Sequence, residues 1–332
     1  MAAADLAIDV RDLRRSFRRR KKPLAGAGWL RSALRGFEAV EALAGVTFQV
    51  ARGEVVAYVG PNGSGKSTTI KCLTGILVPS SGHVECLGMV PWRQRLEYTA
   101  RIGVLFGQKS LLFWDLPVRD AIEVYRRIYG VGGDRFRNWL EQFDALFGLG
   151  KLLDRRVYTL SLGERMRCEV AASFLHRPSV LFLDEPTIGL DAQAKDAVRQ
   201  LLSELHRSEG LTVLLTTHQM EEVETLATRL VVLAAGRVAF DGSPGELRAR
   251  YLPVKRARIT FSAVRDAERL GQALAGCRVL ERGYDMLQLE IPSGHEIARL
   301  TAWLLEALEV IDLEISDPPM DQVMLAVYGG VP

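Results

Sequence analysis

Short runs of apolar residues alternate with amphipathic stretches through the first three quarters of the chain. The continuous runs that have the length of a strand cover residues 53–60, 101–107, 179–185 and 211–217. Such runs are typical of parallel strands that are buried on both faces of a sheet. Apolar residues recur at helical spacing in the intervening segments 66–77 and 191–209. This alternation predicts an α/β fold that is built on a parallel sheet.

Two regions depart from the alternation. Over about residues 109–175 the pattern is helical throughout, so we expect an inserted helical subdomain there. Beyond residue 251, strand-like segments are separated by helical ones. We therefore expect a first domain over residues 1–251 and a small C-terminal α+β domain over residues 252–332.

The charge of the chain is nearly balanced overall but concentrated near its start. The 332 residues include 43 Lys or Arg and 40 Asp or Glu, which gives a net charge of +3. Ten of the basic residues lie between 11 and 35, and we expect a basic insertion at about 17–36. Three interpretations of this segment stay open: a contact for anionic lipid or a membrane subunit, a contact for an acidic partner or nucleic acid, or an insertion without a partner. The rest of the chain is net acidic, so we expect no nucleic acid partner.

The sequence shows no segment that would place the chain within a membrane. No apolar run reaches the roughly 18 residues that cross a bilayer, and residues 1–15 lack the pattern of a signal peptide. The cysteines lack metal-ligand spacing, so we expect them to be reduced and mostly buried. If the chain acts at a membrane, we expect a peripheral protein on the cytoplasmic face, with another polypeptide providing the passage.

A glycine-rich loop lies between a predicted strand and a predicted helix. It reads GPNGSGKST and comprises Gly60, Pro61, Asn62, Gly63, Ser64, Gly65, Lys66, Ser67 and Thr68. This spacing and context are those of a P-loop, whose backbone N–H groups and helix N-terminus bind phosphate. Lys66 is then expected to reach the β and γ phosphates, and the Ser67 hydroxyl to ligate Mg²⁺. The alternative is a glycine loop that merely turns the chain.

Two acids end the apolar run 179–185. Asp184 is expected to hold the metal through water, and Glu185 to polarise an attacking water. The alternative is that paired acids at a strand end cap the following helix. The P-loop earlier in the chain favours the metal and water interpretation.

The segment LSLGERMR at 160–167 and His218, directly after the run 211–217, narrow the choice among nucleotide hydrolases. With these residues the chain resembles the nucleotide-binding subunit of ATP-binding cassette (ABC) transporters over about residues 7–250. The segment TTIKCLTGILVPSSG is similar to the ATPase subunits of ABC-2-type exporters. The resemblance implies an ABC cassette with a parallel-sheet core, an antiparallel β subdomain and an inserted helical subdomain. It also implies an enzyme that hydrolyses ATP with Mg²⁺ to drive transport.

The resemblance assigns roles to further residues. Gln108 matches the glutamine loop, which senses Mg²⁺ and the attacking water. Ser161 and Gly163 match the signature that touches the γ-phosphate held by the opposite protomer. Asp191 matches the loop that crosses the dimer interface, and His218 matches the switch histidine that hydrogen-bonds the γ-phosphate. The resemblance therefore implies a homodimer or a paired ATPase subunit, together with a separate integral membrane permease.

The signature departs from the family pattern. The usual form is LSGGQ, whereas Leu162 replaces its first glycine and Glu164 replaces its glutamine. The Ser161 hydroxyl and the Gly163 backbone remain, so phosphate contact is expected to survive. Glu164 adds negative charge near the phosphates, and we expect it to weaken ATP-driven closure modestly unless Arg165 or Arg167 offsets it.

The aromatic residue that would stack on adenine has two candidates. Family spacing to the Ala-Leu of the next strand selects Phe37, which we favour, whereas the context RRSF at the end of the first strand selects Phe17. For either ring, the alternative is a position in the core.

We therefore expect the ATPase subunit of an ABC-2-type exporter, and three other classes stay open. An importer ATPase subunit would be distinguished by a substrate-binding protein among the neighbouring genes. An ABC ATPase that acts on ribosomes or DNA is disfavoured by the single cassette and by the short gap between Lys66 and Asp184. An ATP-binding regulatory module without hydrolysis is disfavoured by the presence of Gln108, Glu185 and His218.

Overall fold

The computed structural model describes residues 5–20, 37–107, 110–188 and 190–329. The chain divides into two compact units, Met1–Gly242 and Ser243–Pro332. The strands of the first unit are β1 (Leu6–Arg20), β2 (Phe37–Ala51), β3 (Val55–Val59), β4 (Ser81–Cys86), β5 (Ile102–Phe106), β6 (Val180–Asp184), β7 (Thr212–Thr217), β8 (Arg229–Ala234) and β9 (Arg237–Gly242). Its helices are α1 (Lys66–Leu73), α2 (Arg95–Thr99), α3 (Val118–Ile128), α4 (Gly133–Phe147), α5 (Leu162–Ser173), α6 (Ala192–Glu209) and α7 (Met220–Leu226).

The central sheet of the first unit has the strand order β5-β6-β7-β3-β8-β9. Its strands are parallel except for β9, which pairs antiparallel with β8. Every residue of β3 and β7 is buried, as the continuous apolar runs predict for strands covered on both faces. The α/β fold with a parallel-sheet core is therefore confirmed. Because parallel strands end at a common edge, the segments that follow β3, β5, β6 and β7 gather there.

A second, antiparallel sheet of order β2-β1-β4 contributes to the same core. Leu13 of β1 and Val84 of β4 lie in one buried cluster with Tyr58 of the central sheet. The pairing of β1 with β4 ends at Arg14, whereas its pairing with β2 continues to Arg20. The hairpin of β1 and β2 therefore extends past β4 as a two-stranded ribbon.

The basic insertion that we predict at about 17–36 begins inside this ribbon. Residues 17–20 belong to β1, which pairs there with β2. Residues 21–36 lie outside the described part of the chain.

Helices α3, α4 and α5 lie between β5 and β6 in the chain, within the region predicted to be helical. Short 3-10 helices at Leu149–Lys151 and Val157–Thr159 lead from α4 to α5. Among the described helices, none combines the length and the apolar character that crossing a bilayer requires. Cys72, Cys86 and Cys168 are free and buried, as expected.

The second unit contains its own antiparallel sheet of order β11-β12-β10-β13. Its elements are α8 (Pro244–Tyr251), β10 (Val254–Val264), α9 (Ala267–Leu274), β11 (Arg278–Arg282), β12 (Met286–Pro292), α10 (Ile297–Ala307), β13 (Leu308–Ser316) and α11 (Met320–Gly329). Apolar residues of β10, β12, α9 and α10 form a core separate from that of the first unit. The first unit ends at Gly242, whereas the boundary predicted from the sequence lies at residue 251. Helix α8 lies between these positions and packs against α11.

Candidate functional site

The loop 60–68 connects the carboxyl end of β3 to the start of α1, at the edge of the central sheet. A Cβ on Gly60 would lie 2.3 Å from the Leu233 carbonyl oxygen, which leaves no room for a side chain. Gly65 has a φ of 112°, and a Cβ there would lie 2.7 Å from the Ala42 carbonyl oxygen. The loop is therefore held against its neighbours by backbone positions that only glycine fits. Its helix α1 presents free N–H groups and the positive end of its dipole, as an anion site requires.

Lys66 lies inside the loop and is almost fully buried. Its Nζ donates hydrogen bonds to the carbonyl oxygens of Gly60, at 2.7 Å, and Pro61, at 3.3 Å. Burial lowers the pKa of Lys66, and the carboxylates of Glu185 and Asp184 oppose that shift. An amine that is held by the loop carbonyls lies within the loop where phosphate oxygens would bind.

Asp184 ends β6 beside the start of α1. Its Oδ1 accepts hydrogen bonds from the hydroxyl of Thr216 on β7, at 2.6 Å, and from the hydroxyl of Ser67, at 3.3 Å. Carboxylate and hydroxyl oxygens are the hard donors that Mg²⁺ prefers, so Ser67 and Asp184 fit a magnesium site beside a phosphate. Within the part of the chain that the structure describes, no three His, Cys, Asp or Glu side chains form a metal cluster.

Glu185 follows Asp184 in a backbone conformation that is uncommon for its residue type. Its φ of 54° lies in the left-handed region, which costs roughly 1–3 kcal/mol for a residue other than glycine. Its N–H donates to the carbonyl oxygen and to Oγ1 of Thr216, at 3.0 Å and 3.1 Å. Its Oε1 lies 3.6 Å from Nδ1 of His218, whose side chain is half exposed. The structure thus brings the two predicted residues together at one edge of the sheet.

Gln108 lies outside the described residues, so its predicted role stays a prediction. The residue before it is fixed to the same edge. Gly107 N–H donates to the Asp184 carbonyl oxygen at 2.8 Å, and a Cβ on Gly107 would lie 2.3 Å from the Glu185 carbonyl oxygen.

The signature segment begins α5 with a capping box. Ser161 Oγ accepts from the Glu164 N–H at 3.2 Å, and Glu164 Oε2 accepts from the Ser161 N–H at 2.8 Å. The other oxygen of Glu164 accepts from Arg155 at 2.8 Å. The Ser161 N–H, and then Arg155, hold the pKa of Glu164 below its usual value. The glutamate that replaces the family glutamine is therefore an N-terminal cap of its own helix.

Arg155, rather than Arg165 or Arg167, forms the ion pair with Glu164. Arg165 Nε lies 3.6 Å from Glu169 on the same helix, and Arg167 donates to the Phe147 carbonyl oxygen. Arg165, one residue after Glu164, does not face it on the helix. Arg167 could reach Glu164 from position i+3 but bonds to Phe147 instead, and Arg155 reaches Glu164 from the preceding loop.

Gly163 and Asp191 lie where the N-termini of α5 and α6 meet. A Cβ on Gly163 would lie 2.7 Å from Cβ of Ala194, so the two helices approach closely there. Asp191 caps α6, and its Oδ1 accepts from the Ala194 N–H at 2.8 Å. No hydrogen bond between described residues joins Ser161 or Gly163 to the loop 60–68. Within one copy, the signature and the phosphate loop are therefore separate groups of residues.

The register of the β1–β2 ribbon decides which of the two aromatic candidates lies nearer to the phosphate loop. Phe17 pairs with Val40, and Phe37 pairs with Arg20. The Ala42 carbonyl oxygen is the atom that a Cβ on Gly65 would meet. At about 3.3 Å per residue, Val40 lies about 7 Å along the strand from Ala42, and Phe37 about 17 Å. Phe17 is therefore the candidate nearer to the loop.

Thr216 and Arg155 are the residues of this site that sequence reasoning missed. Thr216 contacts both Asp184 and Glu185, because β6 and β7 are paired so that Asp184 lies opposite Thr216. No local motif marks either residue, although a hydroxyl near the end of the strand that precedes His218 could have suggested Thr216.

Comparison with known proteins agrees with this arrangement. Residues 43–188 match the ABC transporter family. The daunorubicin resistance ATP-binding protein DrrA3 of Streptomyces coeruleorubidus is 35% identical over 303 residues, which cover 87% of this chain and 92% of that protein. The daunorubicin/doxorubicin resistance ATP-binding protein DrrA of Streptomyces peucetius is 34% identical, over 88% of this chain and 89% of that protein. The structure of cbiO1 from Clostridium perfringens, part of the ABC transporter complex cbiONQ, has a TM-score of 0.61 and 28% identity over 74% of this chain and 92% of that chain. The chain therefore belongs to the family of ABC transporter ATP-binding proteins, and it is an ATPase.

Proposed function

We propose that this chain drives an exporter as one of two ATPase subunits that attach to a separate permease at the cytoplasmic face of a membrane. Two relatives are named as daunorubicin resistance proteins, and resistance to a drug supports export rather than import. One observation carries the pairing of two subunits. The signature at Ser161 begins a capped helix and makes no hydrogen bond to the phosphate loop of its own copy, among the described residues. It is therefore free to complete the site of a second copy.

ATP binding begins at the loop 60–68. The backbone N–H groups at the start of α1 donate to the phosphate oxygens, and Lys66 exchanges its bonds to the loop carbonyls for bonds to phosphate. Ser67 and Asp184 would hold Mg²⁺, which neutralises phosphate charge when bound. Thr216 fixes the Asp184 carboxylate through its 2.6 Å hydrogen bond. The charge of the triphosphate then favours the closed pair, because the helix α5 of the partner presents its N-terminus to it.

Hydrolysis depends on Glu185 and His218. A water molecule attacks the γ-phosphorus, the bond from that phosphorus to the β–γ bridging oxygen breaks, and ADP and phosphate result. Glu185 accepts the proton of the water, and His218 donates a hydrogen bond to the γ-phosphate. Their 3.6 Å separation lets both side chains reach one reacting centre. Cleavage removes the contact between the two copies through the γ-phosphate, so the pair reopens.

We propose Phe17 rather than Phe37 as the residue that stacks on adenine. Its pairing with Val40 puts it nearer to the loop than Phe37, and its ring is partly exposed. The guanidinium of Arg15 lies over one face of the ring, 4.8 Å from its centre. Stacking on one face would leave the other to the arginine.

The decisive experiment combines two variants of the purified chain. Glu185→Gln is expected to bind MgATP and to lower turnover about 10²–10⁴-fold, because the amide cannot accept the proton. In light scattering, MgATP should double the mass of this variant. Lys66→Ala is the matched control, and it should show neither nucleotide binding nor pairing. Near-normal turnover by Glu185→Gln would remove Glu185 from its proposed role, and a chain that stays monomeric with MgATP would refute the paired mechanism.

A further inference from the structure

A buried hydrogen bond joins the loop after Glu185 to the helix after His218. Thr187, two residues beyond Glu185, donates through Oγ1 to Oε1 of Glu222 on α7. Both side chains are almost completely buried. Glu222 is four residues beyond His218, so this bond links the chain segments that carry the two proposed catalytic side chains.

A glutamate at position 222 has an unfavourable effect on folding stability. Its Oε2 has no hydrogen-bond partner among the described residues, and the side chain has no solvent exposure. A buried carboxylate oxygen without a partner destabilises the folded chain, whereas an apolar side chain of similar size would not. Packing alone therefore does not account for a glutamate here, but a specific acceptor for Thr187 does.

The strained backbone of Glu185 explains why such an acceptor is useful. Its left-handed conformation is held on the N-terminal side by two hydrogen bonds from its N–H to Thr216. Strained residues persist only where the surrounding structure over-determines their conformation, so each further bond that holds the turn contributes. On the C-terminal side, the bond from Thr187 to Glu222 is the side-chain anchor of the turn, in which the Ile188 N–H donates to the Glu185 carbonyl oxygen at 3.3 Å.

We propose that Glu222 is a positioning residue for ATP hydrolysis. Together with Thr187 it holds the turn after Glu185, so that the Glu185 carboxylate stays beside His218 in the strained conformation. Glu222 itself is fully buried, so it acts through the turn rather than at the reacting centre. This inference rests on the proposed role of Glu185 as the base. It adds a residue that acts through the turn after Glu185.

Thr187→Val tests the bond with a substitution of equal shape. It removes the donor, and we expect kcat to fall at least about tenfold, because small displacements of a catalytic group have effects of this size. The affinity for MgATP, measured by titration with a fluorescent ATP analogue, should change less than about twofold, because the phosphate loop is untouched. Thr187→Ser keeps the hydroxyl and should retain most of the wild-type kcat.

Two further variants complete the test. Glu222→Gln keeps a carbonyl acceptor for Thr187 and should stay close to wild type, whereas Glu222→Ala should lose as much kcat as Thr187→Val. The double variant Thr187→Val with Glu222→Ala should be no slower than either single variant, since both remove one interaction. Thr74→Val is the matched control, because the Thr74 hydroxyl is also buried but donates to the carbonyl oxygens of Ile70 and Lys71 in its own helix rather than to another segment.

The outcomes separate this inference from the proposed function. A wild-type chain without ATPase activity would refute the proposed function. An active wild type with a Thr187→Val variant of equal kcat would overturn the inference alone. A Thr187→Ser variant as slow as Thr187→Val would also overturn it, because packing rather than the hydroxyl would then matter. If Thr187→Val does not fold, the same comparison is made between Thr187→Ala and Thr187→Ser.

Discussion

The phosphate loop 60–68 and the signature at Ser161 are both proposed to bind phosphate at a helix N-terminus, but they are constructed differently. The loop depends on positions where a Cβ would collide with backbone atoms, such as Gly60 against the Leu233 carbonyl oxygen. The signature is an ordinary helix start, in which Ser161 and Glu164 cap each other.

This difference explains why the two motifs tolerate change differently. In the loop, any side chain on Gly60 or Gly65 must displace the strand or hairpin beside it. At the start of α5, Leu162 and Glu164 replace two residues of the usual signature without disturbing the cap. The glutamate even takes part in the cap, and Arg155 balances its charge. Substitutions in the loop should therefore have large effects, and substitutions in the signature smaller ones.

Among the substitutions that compare the loop with the signature, Gly60→Ala should have the largest effect. Its Cβ would lie 2.3 Å from the Leu233 carbonyl oxygen and 2.7 Å from Oγ of Ser64, so the loop must move. We expect MgATP affinity to fall at least about tenfold, and the free energy of unfolding to fall by about 1–3 kcal/mol. Nucleotide titration and urea unfolding measure the two effects. Gly133→Ala is the control, because it starts α4 with open space around its Cβ and should be neutral or slightly stabilising.

The proposed adenine contact lies on the same side of the site as the phosphate loop. Its loss should have the second largest effect on ATP binding. Phe17→Ala should weaken ATP binding about tenfold, because stacking of a base on an aromatic ring is worth roughly 1–3 kcal/mol. Phe37→Ala, on the same ribbon but farther from the loop, should change the affinity less than about twofold. A titration that shows the larger loss for Phe37→Ala would restore the choice made from the sequence spacing.

The contrast between the phosphate loop and the signature also shows which features the sequence could predict. The parallel sheet was predictable because strands buried on both faces are continuous apolar runs, and the P-loop because its spacing and its strand–helix context coincide. Family membership and ATPase activity, inferred from the signature and from His218, are confirmed. The roles of the individual site residues stay predictions, and Gln108 lies outside the described residues.

The remaining features depend on register and on contacts between distant segments. Thr216 reaches Asp184 only because β6 and β7 pair with these two residues opposite each other. Arg155 reaches Glu164 across a loop, a contact that helical spacing does not indicate. The choice between Phe17 and Phe37 turns on how far the pairing of β1 and β2 continues. None of these relations is encoded in a local pattern.

Gly163→Ala tests the signature at its closest contact. The new Cβ would lie 2.7 Å from Cβ of Ala194, so α5 and α6 must separate slightly and Ser161 must shift. In the Glu185→Gln background, pairing with MgATP should weaken about threefold to tenfold, within the range expected for overpacking. Adding Ala194→Gly should restore pairing, at a stability cost of about 1 kcal/mol for glycine in α6. If Ala194→Gly gives no recovery, steric contact between the helices is not the cause.

Substitution of Glu164 in the cap of α5 should have the smallest effect. It should appear as a pH-dependent change in the free energy of unfolding. The Ser161 N–H and Arg155 lower the pKa of folded Glu164 below its usual value of 4.5. A lowered pKa means that the charged carboxylate contributes stability above about pH 4.5, and that this contribution is lost as the pH falls through the folded value. Glu164→Gln keeps the cap but loses the attraction to Arg155, so it should be about 0.5 kcal/mol less stable than wild type at pH 7. Urea unfolding should show this difference shrinking toward zero below pH 4.5, because protonated glutamate resembles glutamine. A difference that is unchanged between pH 7 and pH 4 would mean that the charge of Glu164 does not stabilise the start of α5.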